Sequence, residues 1–120
     1  MNVLLFGAHG QVGTACKKTF ETLGWKVTAL TRADVDFCMP DTVYSAVKNT
    51  QPNIVVNACA YTAVDKAESE PEIASLVNAK SVGAMGKACH ELNIPVVHIS
   101  TDYVFNGSAT TPYSEIDAVA

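Results

Sequence analysis

Charge is scarce in this sequence. Only 17% of its residues are Asp, Glu, Lys or Arg, against about 25% in an average globular domain. The eight Lys and Arg are scattered without a run or a stripe, and the formal net charge is −4. A nucleic acid needs a basic footprint on its partner, so nucleic-acid binding is excluded. Long apolar runs are missing too. None approaches the roughly 18 residues that span a bilayer, so no membrane partner is expected. Met1 to Phe6 is apolar, but it has strand length, no basic segment precedes it and a glycine loop comes after it. It does not read as a secretory signal. These absences make a cytoplasmic protein the expectation. Cysteines stand at 16, 38, 59 and 89, with no CxxC pair and no zinc-site or disulfide-scaffold spacing. Cys16 and Cys59 sit among apolar neighbours and read as small core residues. Repeats and low-complexity segments are absent.

What is present is apolar: 48% of the 120 residues are hydrophobic. High apolar content with little charge suits a sheet covered on both faces. It equally suits a fragment whose missing part once covered some surface. The length is one domain's worth.

Strand and helix patterns alternate. Val3 to Phe6 is a buried strand. Val12, Cys16, Phe20 and Leu23 keep helical spacing, and Gly24 caps that helix at its end. Lys26 to Leu30 is a second strand and Val35 to Phe37 a short third one. Asp41 can cap a helix carrying Val43, Tyr44 and Val47, which must end before Pro52. Ile54 to Asn57 is a fourth strand. Pro71 opens a longer helix with Ile73, Val77, Ser81, Ala84 and Ala88 on one face. Its small residues Ala79, Gly83 and Gly86 would let it lie close to the sheet. Pro95 to Ser100 is a fifth strand, and turn composition begins at Gly107. Strands separated by helices imply right-handed crossovers and a parallel sheet. The fold class is α/β, a Rossmann-like doubly wound parallel sheet that is incomplete at its C-terminus.

The first strand runs into Gly7-Ala8-His9-Gly10-Gln11-Val12-Gly13, and a helix comes next. Gly7 permits a tight turn, Gly10 lets backbone approach a pyrophosphate, and Gly13 lets the helix pack on the strand. The N–H groups and dipole of the helix start would face that anion. A bare glycine-rich turn has the same letters. The strand before and the amphipathic helix after are the context that dinucleotide binding requires. His9, between the glycines, is assigned no role.

At the end of the second strand an NAD-specific site places an acid against the ribose 2′-hydroxyl. Thr31-Arg32 stand there instead, and the acids Asp34 and Asp36 come later. Arg32 is either the partner of a 2′-phosphate, with Thr31 donating a hydrogen bond beside it, or a solvated charge that stacks on adenine. The first alternative makes NADPH the preferred cofactor over NADH. Ser100-Thr101-Asp102, after the last strand, reads by itself as a turn whose side chains bond the backbone. Asp65 and Glu68 read as a solvated helix start.

Four stretches carry a family resemblance. They are Leu4 to Gly7 with Gly10 to Gly13, Val56 to Glu68 (VNACAYTAVDKAE), Asn78-Ala79, and Ser100 to Phe105 (STDYVF). Together they resemble the dTDP-4-dehydrorhamnose reductases, a family of extended short-chain reductases. The resemblance spans the whole chain. It implies NAD(P)H-dependent reduction of dTDP-4-dehydro-L-rhamnose, a nucleotide-sugar substrate, to dTDP-L-rhamnose. Gly10, Gln11 and Val12 resemble the pyrophosphate loop, and Asp36-Phe37 the pair beside the adenine. Ala60, Tyr61 and Thr62 resemble the segment along the cofactor's ribose and nicotinamide. Thr101 resembles the catalytic threonine and Asp102 a substrate-contacting neighbour.

One departure is plain. Such enzymes carry a Tyr-x-x-x-Lys pair after the fifth strand. Here Tyr113 is followed four residues on by Asp117, and Tyr103 by Gly107. The resemblance therefore implies that residues 1–120 are a truncated dinucleotide-binding domain, inactive alone, with the substrate domain absent. Its unfinished sheet edge would favour association of copies into a homo-oligomer. Two rival readings come with the same resemblance. One is a non-catalytic dinucleotide-binding subunit, like the regulatory β subunit of methionine adenosyltransferase, against which the VDKAE stretch favours the reductase; the other is an epimerase or dehydratase, which shares the glycine loop but would not be expected to show STDYVF.

Overall fold

Four parallel strands form the centre of the computed structural model, which describes residues 1–120. They are β1 (Asn2–Phe6), β2 (Lys26–Leu30), β3 (Ile54–Asn57) and β4 (Val96–His98), in the spatial order β2-β1-β3-β4. Leu5 pairs in register with Ala29 on one side and Val56 on the other, and Val56 pairs with Val97. Helix α1 (Gln11–Thr22) joins β1 to β2, and α2 (Pro40–Thr50) joins β2 to β3. The third crossover holds α3 (Val64–Ser69), α4 (Pro71–Ser75), a π-helical turn (Leu76–Lys80) and α5 (Ser81–Leu92). The chain thus leaves β1 in one direction and returns past it in the other. This is the doubly wound arrangement, with its switch point between β1 and β3. No helix is long and apolar enough to cross a membrane.

The inner strands β1 and β3 bury both faces, which is why they read as apolar runs. On one face Leu4, Phe6 and Val55 meet Val43 and Val47 of α2 and Met85, Ala88 and Cys89 of α5. The Phe6 and Phe37 rings meet edge to face at 5.4 Å. A surface tie links the two helices, since the Tyr44 hydroxyl donates to Glu91 at 2.6 Å and Lys48 Nζ reaches the same carboxylate at 3.1 Å. The other face is thinner. Val3, Leu5 and Val56 are buried there under half-buried Cys16 and Phe20 of α1. Val97, in register with Val56, is 45% exposed. Cys16 and Cys59 are half-buried at the edges of the two clusters, and Cys89 is the buried thiol.

Several expectations are corrected. Val35 to Phe37 is not a strand. The chain turns at Thr31–Asp34, where Asp34 N–H donates to the Thr31 carbonyl at 3.0 Å, and no neighbouring strand pairs with residues 35–37. Val35 and Phe37 are apolar because both are buried in the larger core cluster. The sheet accordingly has four strands, not five, and the last is the three-residue β4 rather than Pro95 to Ser100. Asp41 does not cap α2. Pro40 takes the first helical position, where its missing N–H costs nothing, and Asp41 falls in the first turn behind the cap residue Met39. Pro71 does open its helix, but the run is not one regular α-helix. Val77, Ser81 and Ala88 are buried as expected, with Met85 and Cys89 beside them and Ala84 half-buried, while Ile73, ahead of the π turn, stays open. The small residues face away from the sheet: Ala79 and Gly83 are exposed, and a Cβ on Gly83 or Gly86 would meet nothing within 4 Å.

Candidate functional site

The carboxyl ends of β1 and β3, at the switch point, open on a cleft of about 430 Å³. Open α/β sheets bind ligands at this place. Two loops wall it. The first runs from Gly7 to Gly10. Gly7 has φ +76°, and a Cβ there would lie 2.7 Å from the Ala58 carbonyl carbon and oxygen. Glycine is thus needed for the turn and for the close approach of the second loop. A Cβ on Gly13 would fall 2.0 Å from the Gly7 oxygen, so helix and loop touch through bare backbone. Gly10 differs, since its Cβ would meet only the Gly7 oxygen, at 3.5 Å. The loop is thus open above Gly10.

Gly10 is the N-cap of α1. No side chain caps that end, and its first turn has no acid. The leading N–H groups of the helix are therefore left for an external acceptor. Gly7, Gly10 and the unassigned His9 line the cleft. Gln11, Val12 and Gly13 do not; they form the first turn of α1, with Gln11 and Val12 exposed and Gly13 buried.

The end of β2 forms the next part of the wall. The carboxylate of Asp34 accepts both the Thr31 N–H, at 2.8 Å, and the Thr31 hydroxyl, at 2.9 Å. These bonds, the backbone one foremost, hold the Asp34 carboxyl below the usual carboxylate range. The Thr31 proton is thereby committed to Asp34, contrary to the expectation that it donates outward. Arg32 has no such partner. The ion pairs of the chain are Lys17–Glu21 and Lys48–Glu91, and the Arg32 guanidinium lines the cleft unpaired. Asp36 and Phe37 also line it. Asp36 Oδ1 accepts the Cys38 N–H at 2.8 Å, and the Phe37 carbonyl accepts the buried Ser81 hydroxyl at 2.7 Å. Burial, and then Asp36, push the Cys38 thiol up. Burial does the same to Cys59. Both thiols are thus kept in the neutral, unreactive form.

Ala60, Tyr61 and Thr62 lie in the second loop, after β3, and all three line the cleft. Asn57, fully buried at the end of β3, starts this loop. Its Oδ1 accepts the Cys59 N–H at 3.0 Å, and its Nδ2 lies 3.0 Å from His98 Nδ1. Tyr61 is held next. Its N–H donates to Asn78 Oδ1 at 2.8 Å, Asn78 Nδ2 donates to the Tyr61 carbonyl at 3.2 Å, and the Tyr61 hydroxyl donates to Glu70 Oε2 at 2.6 Å. The Glu70 bond, with burial second, raises the phenol above its ordinary value.

Thr101 and Asp102 are not among the residues that line this cleft. They lie just past β4 on a short 3-10 turn, exposed. Thr101 Oγ1 accepts the Tyr103 N–H at 3.2 Å and stands 3.4 Å from Asp102 Oδ1. In this state the threonine caps the turn. Sequence reasoning passed over Asn57, Glu70 and the side-chain role of Asn78. Asn57 left a signal, being the one polar residue closing the run Ile54-Val55-Val56.

The chain is similar to known proteins along its whole length. The chain is 48% identical over 124 residues to the dTDP-4-dehydrorhamnose reductase of Escherichia coli K12, a match that covers 100% of this chain and 41% of that protein. The solved dTDP-4-dehydrorhamnose reductase of Clostridium acetobutylicum superposes with a TM-score of 0.94 at 34% identity, over 100% of this chain and 43% of that one. A Bacillus anthracis protein of the same name, solved in complex with NADP, superposes with a TM-score of 0.91 at 29% identity, over 99% of this chain and 43% of that one. The chain thus spans less than half the length of these relatives. The RmlD substrate binding domain model matches residues 1–120, so the chain, along its whole length, belongs to that family.

Proposed function

We propose that this chain is the dinucleotide-binding domain of a dTDP-4-dehydrorhamnose reductase that takes NADPH in preference to NADH. The carrying observation is the unpaired Arg32 guanidinium in a switch-point cleft whose glycine loop leaves open space above Gly10. That cradle fits a dinucleotide. The N–H groups of Gln11, Val12 and Gly13 would hold the pyrophosphate beside Gly7 and Gly10. Arg32 would pair with the 2′-phosphate, and Thr31, its hydroxyl turned to Asp34, would shape the pocket rather than donate. Asp36 and Phe37 would flank the adenine, and Ala60, Tyr61 and Thr62 the nicotinamide ribose.

The bound nicotinamide supplies hydride. The ketone oxygen of the sugar gains negative charge as hydride arrives, and a donor there lowers the barrier. Thr101 would orient that oxygen once its hydroxyl leaves the long contact with Asp102, and Asp102 would contact the sugar. The substrate domain and the proton donor belong, in this reading, to the further length seen in the relatives. Those relatives carry the reductase name, which does not support the regulatory-subunit reading.

The test is made on the full-length protein, with NADPH and NADH titrated against wild type and Arg32→Ala. NADPH should bind tighter to wild type, and the variant should lose about 1.5–3 kcal/mol for NADPH alone, the worth of a charge-assisted contact. Equal wild-type affinities would sink the preference. Wild type should also oxidise NADPH in the presence of dTDP-4-dehydro-L-rhamnose. A protein that binds NADPH but never turns over would replace the reductase reading with the regulatory one.

A further inference from the structure

We infer that Asn78 is a positioning residue for the dinucleotide cleft, acting through Tyr61; the inference rests on the dinucleotide reading above. The helical run from Pro71 to Leu92 has the sequence of an ordinary α-helix, yet it widens into a π turn at Leu76–Lys80. Such turns are rare and recur where function needs a side chain re-aimed. Two adjacent residues of this turn serve the cleft. Val77 is buried and lines it, and Asn78 extends its amide across to the loop after β3.

The Asn78 amide satisfies both polar groups of one residue, accepting from Tyr61 N–H at 2.8 Å and donating to Tyr61 C=O at 3.2 Å. A primary amide carries its donor and its acceptor on separate atoms, as these two bonds use them. Aspartate lacks the donor, and glutamine is one methylene too long for the same placement. Glu70, just before Pro71, takes the Tyr61 hydroxyl at 2.6 Å. One helical run therefore grips Tyr61 by its backbone and by its ring.

The clamp has two consequences. The Tyr61 N–H is committed to Asn78 and its carbonyl keeps only one lone pair, so what this residue chiefly offers a ligand is its ring. And the loop, which has no regular structure from Ala58 to Ala63, is ordered before any ligand arrives. Removing the clamp would shift that ordering cost onto binding. Asn78 is exposed and belongs to neither core cluster, so its truncation leaves the core intact.

The experiment compares full-length wild type with Asn78→Ala and Asn78→Asp in NADPH titrations, amide hydrogen exchange over residues 59–63, and thermal unfolding. Asn78→Ala should weaken NADPH binding about tenfold, or 1.4 kcal/mol, and speed exchange at the Tyr61 amide, with little change in Tm. Asn78→Asp keeps the acceptor for Tyr61 N–H and should fall between the two. Unchanged NADPH affinity in Asn78→Ala, with the Tyr61 amide deprotected, would overturn the inference by reducing the clamp to a local fold contact. Weakened binding with Tyr61 exchange unchanged would overturn it as well, because Asn78 would then act by another route. A wild type that binds no NADPH would instead bring down the dinucleotide reading, and this inference with it.

Discussion

The loop after β1 and the loop after β3 wall the same cleft but are built differently. The first is shaped by what is missing. Gly7 and Gly13 bring backbone against backbone with no side chain between, and Gly10 leaves the loop uncrowded. The second is shaped by what reaches in: Asn57 from the strand below, Asn78 from the helical run beside it and Glu70 just ahead of that run. A loop made by absent side chains fails when one is added where backbones touch. A loop made by reaching side chains fails when one is removed.

The largest expected effect breaks the first loop. In Gly13→Ala the new Cβ would sit 2.0 Å from the Gly7 oxygen and 2.9 Å from Ala8 Cα, both backbone atoms that cannot swing aside. Stability should drop by about 3 kcal/mol, at the upper end of overpacking costs, as read from the denaturant midpoint. Gly10→Ala, with its nearest contact at 3.5 Å, should unfold like wild type. Equal losses at the two positions would show that crowding does not shape this loop.

A smaller effect breaks the second loop. Asn57→Ala leaves the Cys59 N–H without its acceptor and His98 without its neighbour, at a fully buried site. About 1–3 kcal/mol should be lost, the usual cost of stranding a buried polar group. A change within error in urea denaturation would mean that β3 alone sets the course of the loop.

The smallest effect sharpens the comparison at the end of β2, where a single carboxylate holds a turn. The Asp34 carboxyl lies below its ordinary value because Thr31 N–H and then Thr31 Oγ1 donate to it. A group lowered by folding adds stability above its unfolded value and loses it as pH falls through the folded one. Wild type should therefore lose Tm below about pH 4 slightly faster than Asp34→Asn. Glu91, also lowered by Tyr44 and Lys48, contributes equally to both proteins and cancels. Parallel Tm curves for the two proteins would show that the Thr31–Asp34 turn does not depend on that charge.

The first loop was legible because its requirement is local. Three glycines between an apolar strand and an amphipathic helix state a backbone demand in adjacent letters. The strands β1 and β3 were legible for the same reason, as short apolar runs, and β2 as the strand-length stretch between the Gly24 stop and the Thr31 turn. Val35 to Phe37 was misread because burial without a pairing partner leaves the same apolar letters as a strand. The face of the long helix was legible at Val77, Ser81 and Ala88, which are buried, and failed at Ile73, which precedes the π turn at Leu76–Lys80 and is exposed. Asn78 carried no readable role, since its partner Tyr61 lies 17 residues away.

By itself, then, the sequence determined the alternation of strands and helices, the parallel sheet, the glycine turn and the presence of a cation at the end of β2. Each of these depends on neighbours along the chain. The tertiary structure alone decided that Arg32 is left unpaired, that Thr31 turns its hydroxyl to Asp34, that Tyr61 is held by Asn78 and Glu70, and that Thr101 caps its own turn. The physical reason is that hydrogen bonds and ion pairs act over about 3 Å, and which groups come that close is set by the packing of helices on the sheet, not by their order in the chain.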